Sequence, residues 1–177
     1  MEVAADVTVF DFTKGSVATE FAVLSSTIWA PTATGKSLYS SQSGQKATEY
    51  ADDATQTFKF ENSTFYNLTK SKNFFSHRQS NQKWLTYDVQ NNIFVNCGKK
   101  GQTIKGMNGG QGGANPTWVI SHNAFNFDGE DTCADENTGD DNQPVADSVE
   151  GVINFENAEA GNFKAGIKLG DPFWYIF

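Results

Sequence analysis

Along the chain, apolar and polar residues alternate over short stretches, and each stretch runs into a small polar pair. The pattern is apolar, any, apolar, any, two small polar residues, any, apolar. Four segments fit it: Phe21 to Ile28 (FAVLSSTI), Phe58 to Phe65 (FKFENSTF), Tyr87 to Phe94 (YDVQNNIF) and Trp118 to Phe125 (WVISHNAF). Their starts lie 37, 29 and 31 residues apart. Apolar residues at i and i+2 predict a strand, because alternate side chains of a strand share a face. The Asn or Ser pair predicts a turn, since Asn tolerates the left-handed conformation and both types bond their own backbone. A second strand then begins at the last apolar residue. Shorter strand-like stretches follow at Leu38-Tyr39, Phe74-Phe75 and, more weakly, Thr103-Ile104.

Helical periodicity is nearly absent. Ser16 to Leu24 has a helical alternative through Val17, Phe21 and Leu24, but Phe21 and Val23 fit the strand repeat better. Short strands, polar turns and a repeat near 30 residues predict stacked coils, with like strands paired roughly 4.8 Å apart. Inward residues would form two ladders, Phe21, Phe58, Tyr87, Trp118 and Ile28, Phe65, Phe94, Phe125. The turns would place Asn62, Asn91 and His122 in one column, with His122 bonding its neighbour Asn91. The expected fold is all-β, a small right-handed parallel β-helix of about four coils.

Composition supports a folded chain. With 177 residues, 15 Phe, 5 Tyr and 4 Trp, it has apolar area enough to offset chain entropy in one domain. No apolar run reaches the roughly 18 residues of a membrane span, and the first residues lack the marks of a signal peptide. If the protein is exported, its leader lies upstream of Met1. The net charge of −8 argues against duplex nucleic acid. Nine of the 21 acids lie between Asp128 and Glu150, with no Lys or Arg among them, which leaves 12 acids against 13 bases elsewhere. The single domain, 1–177, divides into an N-terminal strand or cap (1–20), repeat coils (21–127), an acidic insertion (128–150) and a last coil with a C-terminal capping segment (151–177). The ending GDPFWYIF is expected to pack over the end of the stack and shield an edge. Cys97 and Cys133 are either one bridge in an oxidising compartment or two free thiols.

The phrases NSTFYNL, NNIFVNCGK and HNAFNF, with the ending LGDPFWY, resemble the pectate-lyase-like right-handed parallel β-helix proteins of bacteria. More narrowly, they resemble a C-terminal domain of unknown function from surface or secreted proteins of gut commensals. The resemblance covers residues 20–177 and implies the fold and a secreted or cell-surface location. It does not imply one activity, because the superfamily holds lyases, hydrolases and non-catalytic binding modules.

Candidate chemistry lies in the interruptions. Gly35-Lys36-Ser37 resembles the end of a phosphate-binding loop, but Ala30 stands where that motif needs Gly. Asp131, Asp135, Asn137 and Asp140 are candidate oxygen donors for calcium, although Gly139 interrupts the helix-loop-helix calcium pattern. In lyases of this fold an Arg or Lys abstracts a proton beside a uronate carboxylate that calcium neutralises, so Arg78, the only Arg, is the candidate base of a calcium-dependent polysaccharide lyase. No second acid or base joins it in a recurring set, and no Ser-His-Asp or Cys/His pattern supports other hydrolases. Asp52-Asp53, an adjacent acid pair, reads as a turn. Sugar binding needs aromatic faces beside hydrogen-bonding groups, which His77, Arg78, Gln79, Trp84, Lys99 and Lys100 supply, with Tyr39 or Tyr66 as further rings. The expected function is non-catalytic recognition of a polysaccharide or cell-surface glycan; the alternatives are the lyase and a structural or adhesin spacer.

Overall fold

A computed structural model describes residues 1–3, 6–12, 20–33, 35–41, 57–77, 86–107, 117–136 and 145–176. The chain is built mostly of strands. Three of them, β1 (Phe10–Phe12), β4 (Tyr39–Ser41) and β7 (Phe75–His77), form one parallel sheet in that order. Four more, β2 (Glu20–Leu24), β5 (Thr57–Glu61), β8 (Thr86–Gln90) and β10 (Thr117–Ser121), form a second. The third sheet takes β3 (Thr27–Trp29), β6 (Thr64–Thr69), β9 (Ile93–Cys97) and β11 (Ala124–Phe127) in parallel, with β12 (Glu130–Asp131) added antiparallel. Each repeat therefore places its first strand in the second sheet and its second strand in the third.

The pairing register places Phe21 opposite Phe58, Phe58 opposite Tyr87 and Tyr87 opposite Trp118. Ile28, Phe65, Phe94 and Phe125 are aligned in the same way. Both predicted ladders are thus in register, and the rings stack where the pairing brings them together. Phe94 lies between Phe65 at 5.1 Å and Phe125 at 5.3 Å, with interplanar angles of 7° and 6°. Tyr87 stacks on Trp118 at 4.4 Å. The weaker stretch at Thr103-Ile104 forms no strand; Ile104 is buried, but the chain turns there and Met107 N–H donates to Ile104 O. Gly106 lies so close to β7 that a Cβ would come within 2.0 Å of Phe75 O, and its φ of +111° suits only glycine.

Between first and second strands the chain turns through a left-handed residue: Ser25, Asn62, Asn91 and His122, with φ of 44°, 49°, 57° and 55°. Asp147 repeats this at 47°. Ala146 pairs in parallel with Ser121, and Val149 N–H donates to Asn123 O, so Val145 to Val149 form a fifth, partial copy of the repeat. It lies inside the stretch expected to be an acidic insertion. The side chains that bind the layers belong to the residue after each left-handed one. Asn92 Oδ1 accepts from Ser63 N–H at 3.0 Å, and Asn123 Oδ1 accepts from Asn92 N–H at 3.0 Å and from Asn92 Nδ2 at 2.9 Å. Asn92 Nδ2 also donates to Phe60 O, and Asn123 Nδ2 to Val89 O. The expected His122 to Asn91 bond is replaced: His122 is exposed, and its backbone N–H donates to Ala146 O. The left-handed residue points outward, so its neighbour turns into the core.

The C-terminal segment runs back across the outer face of the third sheet before its last residues reach β3. Ile153, Phe155, Ile167 and Leu169 pack with Tyr66, Ile93, Val95 and Ala124 as a second apolar cluster, separate from the aromatic interior. A hairpin joined by the Asn157 to Asn162 bridge carries Phe163 against Trp29 and Tyr66. Gly170, at φ +75°, then presses on β6, where a Cβ would fall 2.4 Å from Thr64 Oγ1. Asp171 follows, accepting from Thr27 Oγ1 at 2.7 Å, and Trp174 Nε1 in the short helix α1 (Phe173–Ile176) donates to the same hydroxyl. At the N-terminal side Glu2 bridges to Trp29, so residues 1–3 form the layer beyond β3.

Candidate functional site

Of the residues nominated from sequence, only some lie among the described residues. Arg78, Gln79 and Trp84 lie outside the described residues, as do Asn137, Asp140, Asp52 and Asp53. His77 ends β7, opposite Ser41. Tyr39 is no sugar platform: it is fully buried among Phe12, Phe21 and Phe58. Lys99 and Lys100 are exposed in the turn after β9. Lys100 is paired with Glu130, a bond that raises its pKa, and Lys70 is paired with Asp128. Two acids of the acidic stretch thus hold bases of earlier repeats.

Asp131 spends its carboxylate on its own chain. Its oxygens accept from Cys133 N–H at 2.9 Å and Gly151 N–H at 2.5 Å. Burial pushes its pKa up, but those amides together outweigh burial, and the net shift is down. Asp135 begins no cluster with it: among the described residues, no group of three His, Cys, Asp or Glu is arranged to hold a metal ion. Cys97 and Cys133 are separate buried thiols. Cys97 Sγ donates to Val95 O, and burial pushes its pKa up; burial also raises Cys133, to about 12. Neither is a thiolate at neutral pH, so neither is poised as a nucleophile.

Glu136 is the buried acid that the sequence pattern does not single out. Its two oxygens accept from the N–H groups of Thr103 and Ile104, at 3.1 and 3.3 Å, and tie that turn to the next repeat. Burial outweighs these bonds and raises its pKa from 4.5 to about 7. An acid whose folded pKa is raised contributes full stability below its unfolded pKa and loses it as pH climbs through the folded value. The window runs from 4.5 to about 7, equivalent to about 3 kcal/mol at 1.36 kcal/mol per pKa unit. Unfolding by urea at pH 4 and pH 8 is expected to show wild type losing about that much more stability than Glu136→Gln over the interval. Equal changes in both proteins would show that Glu136 titrates normally.

Among the described residues, two depressions stand out on the surface. One, about 660 Å³, lies over the edge of β2, and its main polar side chains, Thr27, Asp171 and Trp174, already bond one another. The other, about 350 Å³, lies where the C-terminal hairpin crosses β6 and β9. Tyr66 and Phe155, 5.8 Å apart and edge to face, form its aromatic wall. Asn96, Asn154, Asn157 and Glu159 supply its polar groups. Asn96 is held left-handed at φ 53° and accepts from Asp128 N–H through Oδ1, and Asn157 accepts from Ala160 N–H. Their amide NH₂ groups donate to no other described residue, which leaves donors at the mouth beside the exposed Glu159 carboxylate. Aromatic area with a few placed polar groups is the makeup of a small-ligand site. Of these residues, Tyr66 alone was nominated from sequence.

No protein-family model, curated protein or solved structure matches the chain. Among the described residues, no helix is long and apolar enough to cross a membrane.

Proposed function

We propose that the chain is a small right-handed parallel β-helix of the pectate-lyase-like kind and acts as a non-catalytic polysaccharide-recognition module of an exported or cell-surface bacterial protein. The coil reading is supported by three sheets in which the strands of the repeats pair in parallel, with aligned aromatic and Asn ladders inside. One observation carries the function: the cleft at Tyr66 and Phe155, where ring faces and edges meet amide donors and a carboxylate. A sugar offers C–H faces to such rings and hydroxyls to such amides. Among the described residues the cleft is lined by Glu159 and by no Lys or Arg, which favours a neutral glycan over a uronate polymer as its ligand.

Affinity electrophoresis in gels carrying neutral or acidic polysaccharides tests this reading. Retardation by a neutral polysaccharide is expected, and Asn154→Ala, an exposed change, should weaken it about fivefold through loss of one hydrogen bond of about 1 kcal/mol. Unaltered mobility with every polysaccharide, from folded protein, would refute recognition.

A further inference from the structure

The cleft at Tyr66 and Phe155 is short, and the chain occupies both of its ends. Every residue that lines it lies inside a continuous described stretch. Its floor runs from Tyr66 on β6 to its register partner Val95 on β9 and on toward Gly129 in the β11–β12 turn. Two strand spacings of about 4.8 Å make that floor about 10 Å long. One wall is the C-terminal segment, with Asn154 and Phe155; the other is Asn96, whose Oδ1 accepts from Asp128 N–H at 2.9 Å. At the β11 end the segment is bonded down to the sheet. Ile153 N–H donates to Asn126 Oδ1 at 2.6 Å, and Asn126 Nδ2 donates to Gly151 O at 3.0 Å. At the β6 end stands the turn Ala158–Ala160, and the next residue, Gly161, lies against β3, where a Cβ would come 3.3 Å from Trp29 Cζ2.

Size and chemistry select the same occupant. The volume of about 350 Å³ falls near the lower limit of small-ligand sites, which run from about 300 to 1,000 Å³. A polymer lying through a cleft needs both ends open and a flat floor. Here the rings of Tyr66 and Phe155 meet at 79°, so a sugar stacked on one ring abuts the other. The β6 end holds an unlike pair. Asn157 Oδ1 is taken by Ala160 N–H at 3.2 Å, which leaves its NH₂ as a donor, while the Glu159 carboxylate only accepts. A free hydroxyl answers both, accepting from the amide and donating to the carboxylate. A continuing chain would place a glycosidic oxygen there, which has no proton for Glu159 and would leave the carboxylate short of a bond. We propose that the cleft takes the end of a neutral glycan chain, about one or two sugar units, with a terminal hydroxyl between Asn157 and Glu159, and excludes the interior of a polymer. This rests on the reading of the cleft as a sugar site.

Isothermal titration calorimetry of the whole chain with malto-, cello- and manno-oligosaccharides, from monosaccharide to hexasaccharide, tests it. In a series that binds, affinity is expected to rise up to the disaccharide and then to change less than about twofold up to the hexasaccharide, because added units lie outside the cleft. Glu159→Ala, an exposed change whose fold circular dichroism checks, should weaken disaccharide binding about tenfold through loss of one bond to a charged group. Affinity that climbs about tenfold or more from disaccharide to hexasaccharide would overturn the proposal and leave glycan recognition standing, as would unchanged affinity in Glu159→Ala. No binding by any of these sugars would also overturn it, and gel retardation by polysaccharides then decides whether glycan recognition falls with it.

Discussion

Replacing Asn92 by alanine is expected to destabilise the protein by about 3–5 kcal/mol, a large part of the 5–15 kcal/mol that holds a typical domain. Asn92 is fully buried, and its side chain joins three layers. The change deletes its bonds to Ser63 N–H, Phe60 O and Asn123 Oδ1. Ser63 N–H and Phe60 O are then left in a dry interior, each at a cost of about 1–3 kcal/mol, beyond the net value of the lost bonds. Asn92→Ser should be milder, because Ser26 and Ser63 fill the same column in earlier repeats, and Ser63 Oγ there accepts from Ser26 N–H. Urea unfolding checks both variants. A loss under 1 kcal/mol for Asn92→Ala would mean that the column is decoration and that the sheets hold the turns unaided.

Phe94→Ala is expected to cost about 4 kcal/mol, the usual range for emptying a buried aromatic site being about 3–5 kcal/mol. The ring is 1% exposed, stacks between Phe65 and Phe125 and takes the edge of Phe74 at 5.7 Å. Its removal leaves a gap in the middle of a ladder that the rigid layer spacing cannot close, so little of the cost is recovered by relaxation. Phe94→Leu retains most of the volume and should cost about 1–2 kcal/mol. Unfolding monitored by denaturant midpoint, at unchanged slope, separates the two; equal effects of Leu and Ala would show that the site does not behave as packed core.

The strands and ladders were legible because a stacked sheet imposes one rule on every layer. Phe58, Tyr87 and Trp118 share an environment, and the sequence repeats the residue type that suits it. The turn was legible one residue out of place, since Asn91 and Asn92 look alike while the first supplies the left-handed backbone and the second the inward amide. The partial copy at Val145 to Val149 escaped notice because charge along that stretch obscures its short apolar pattern. Least legible was the cleft. Tyr66 and Asn96 are distant in sequence from Asn154 and Phe155 and meet them only because the C-terminal segment recrosses the third sheet, a path with no period to betray it. Arg78, Asn137 and Asp140 lie outside the described residues. For Asp131 the chemistry found is local, two backbone amides rather than a ligand.

Glycan recognition at this cleft is tested most directly by a nuclear magnetic resonance titration with a neutral oligosaccharide from whichever polysaccharide retards the protein. The expected result is saturable shifts at Tyr66, Asn96, Gly129, Asn154 and Asn157, the residues that line the cleft. Shifts confined to other surfaces, or none at saturating sugar, would contradict it.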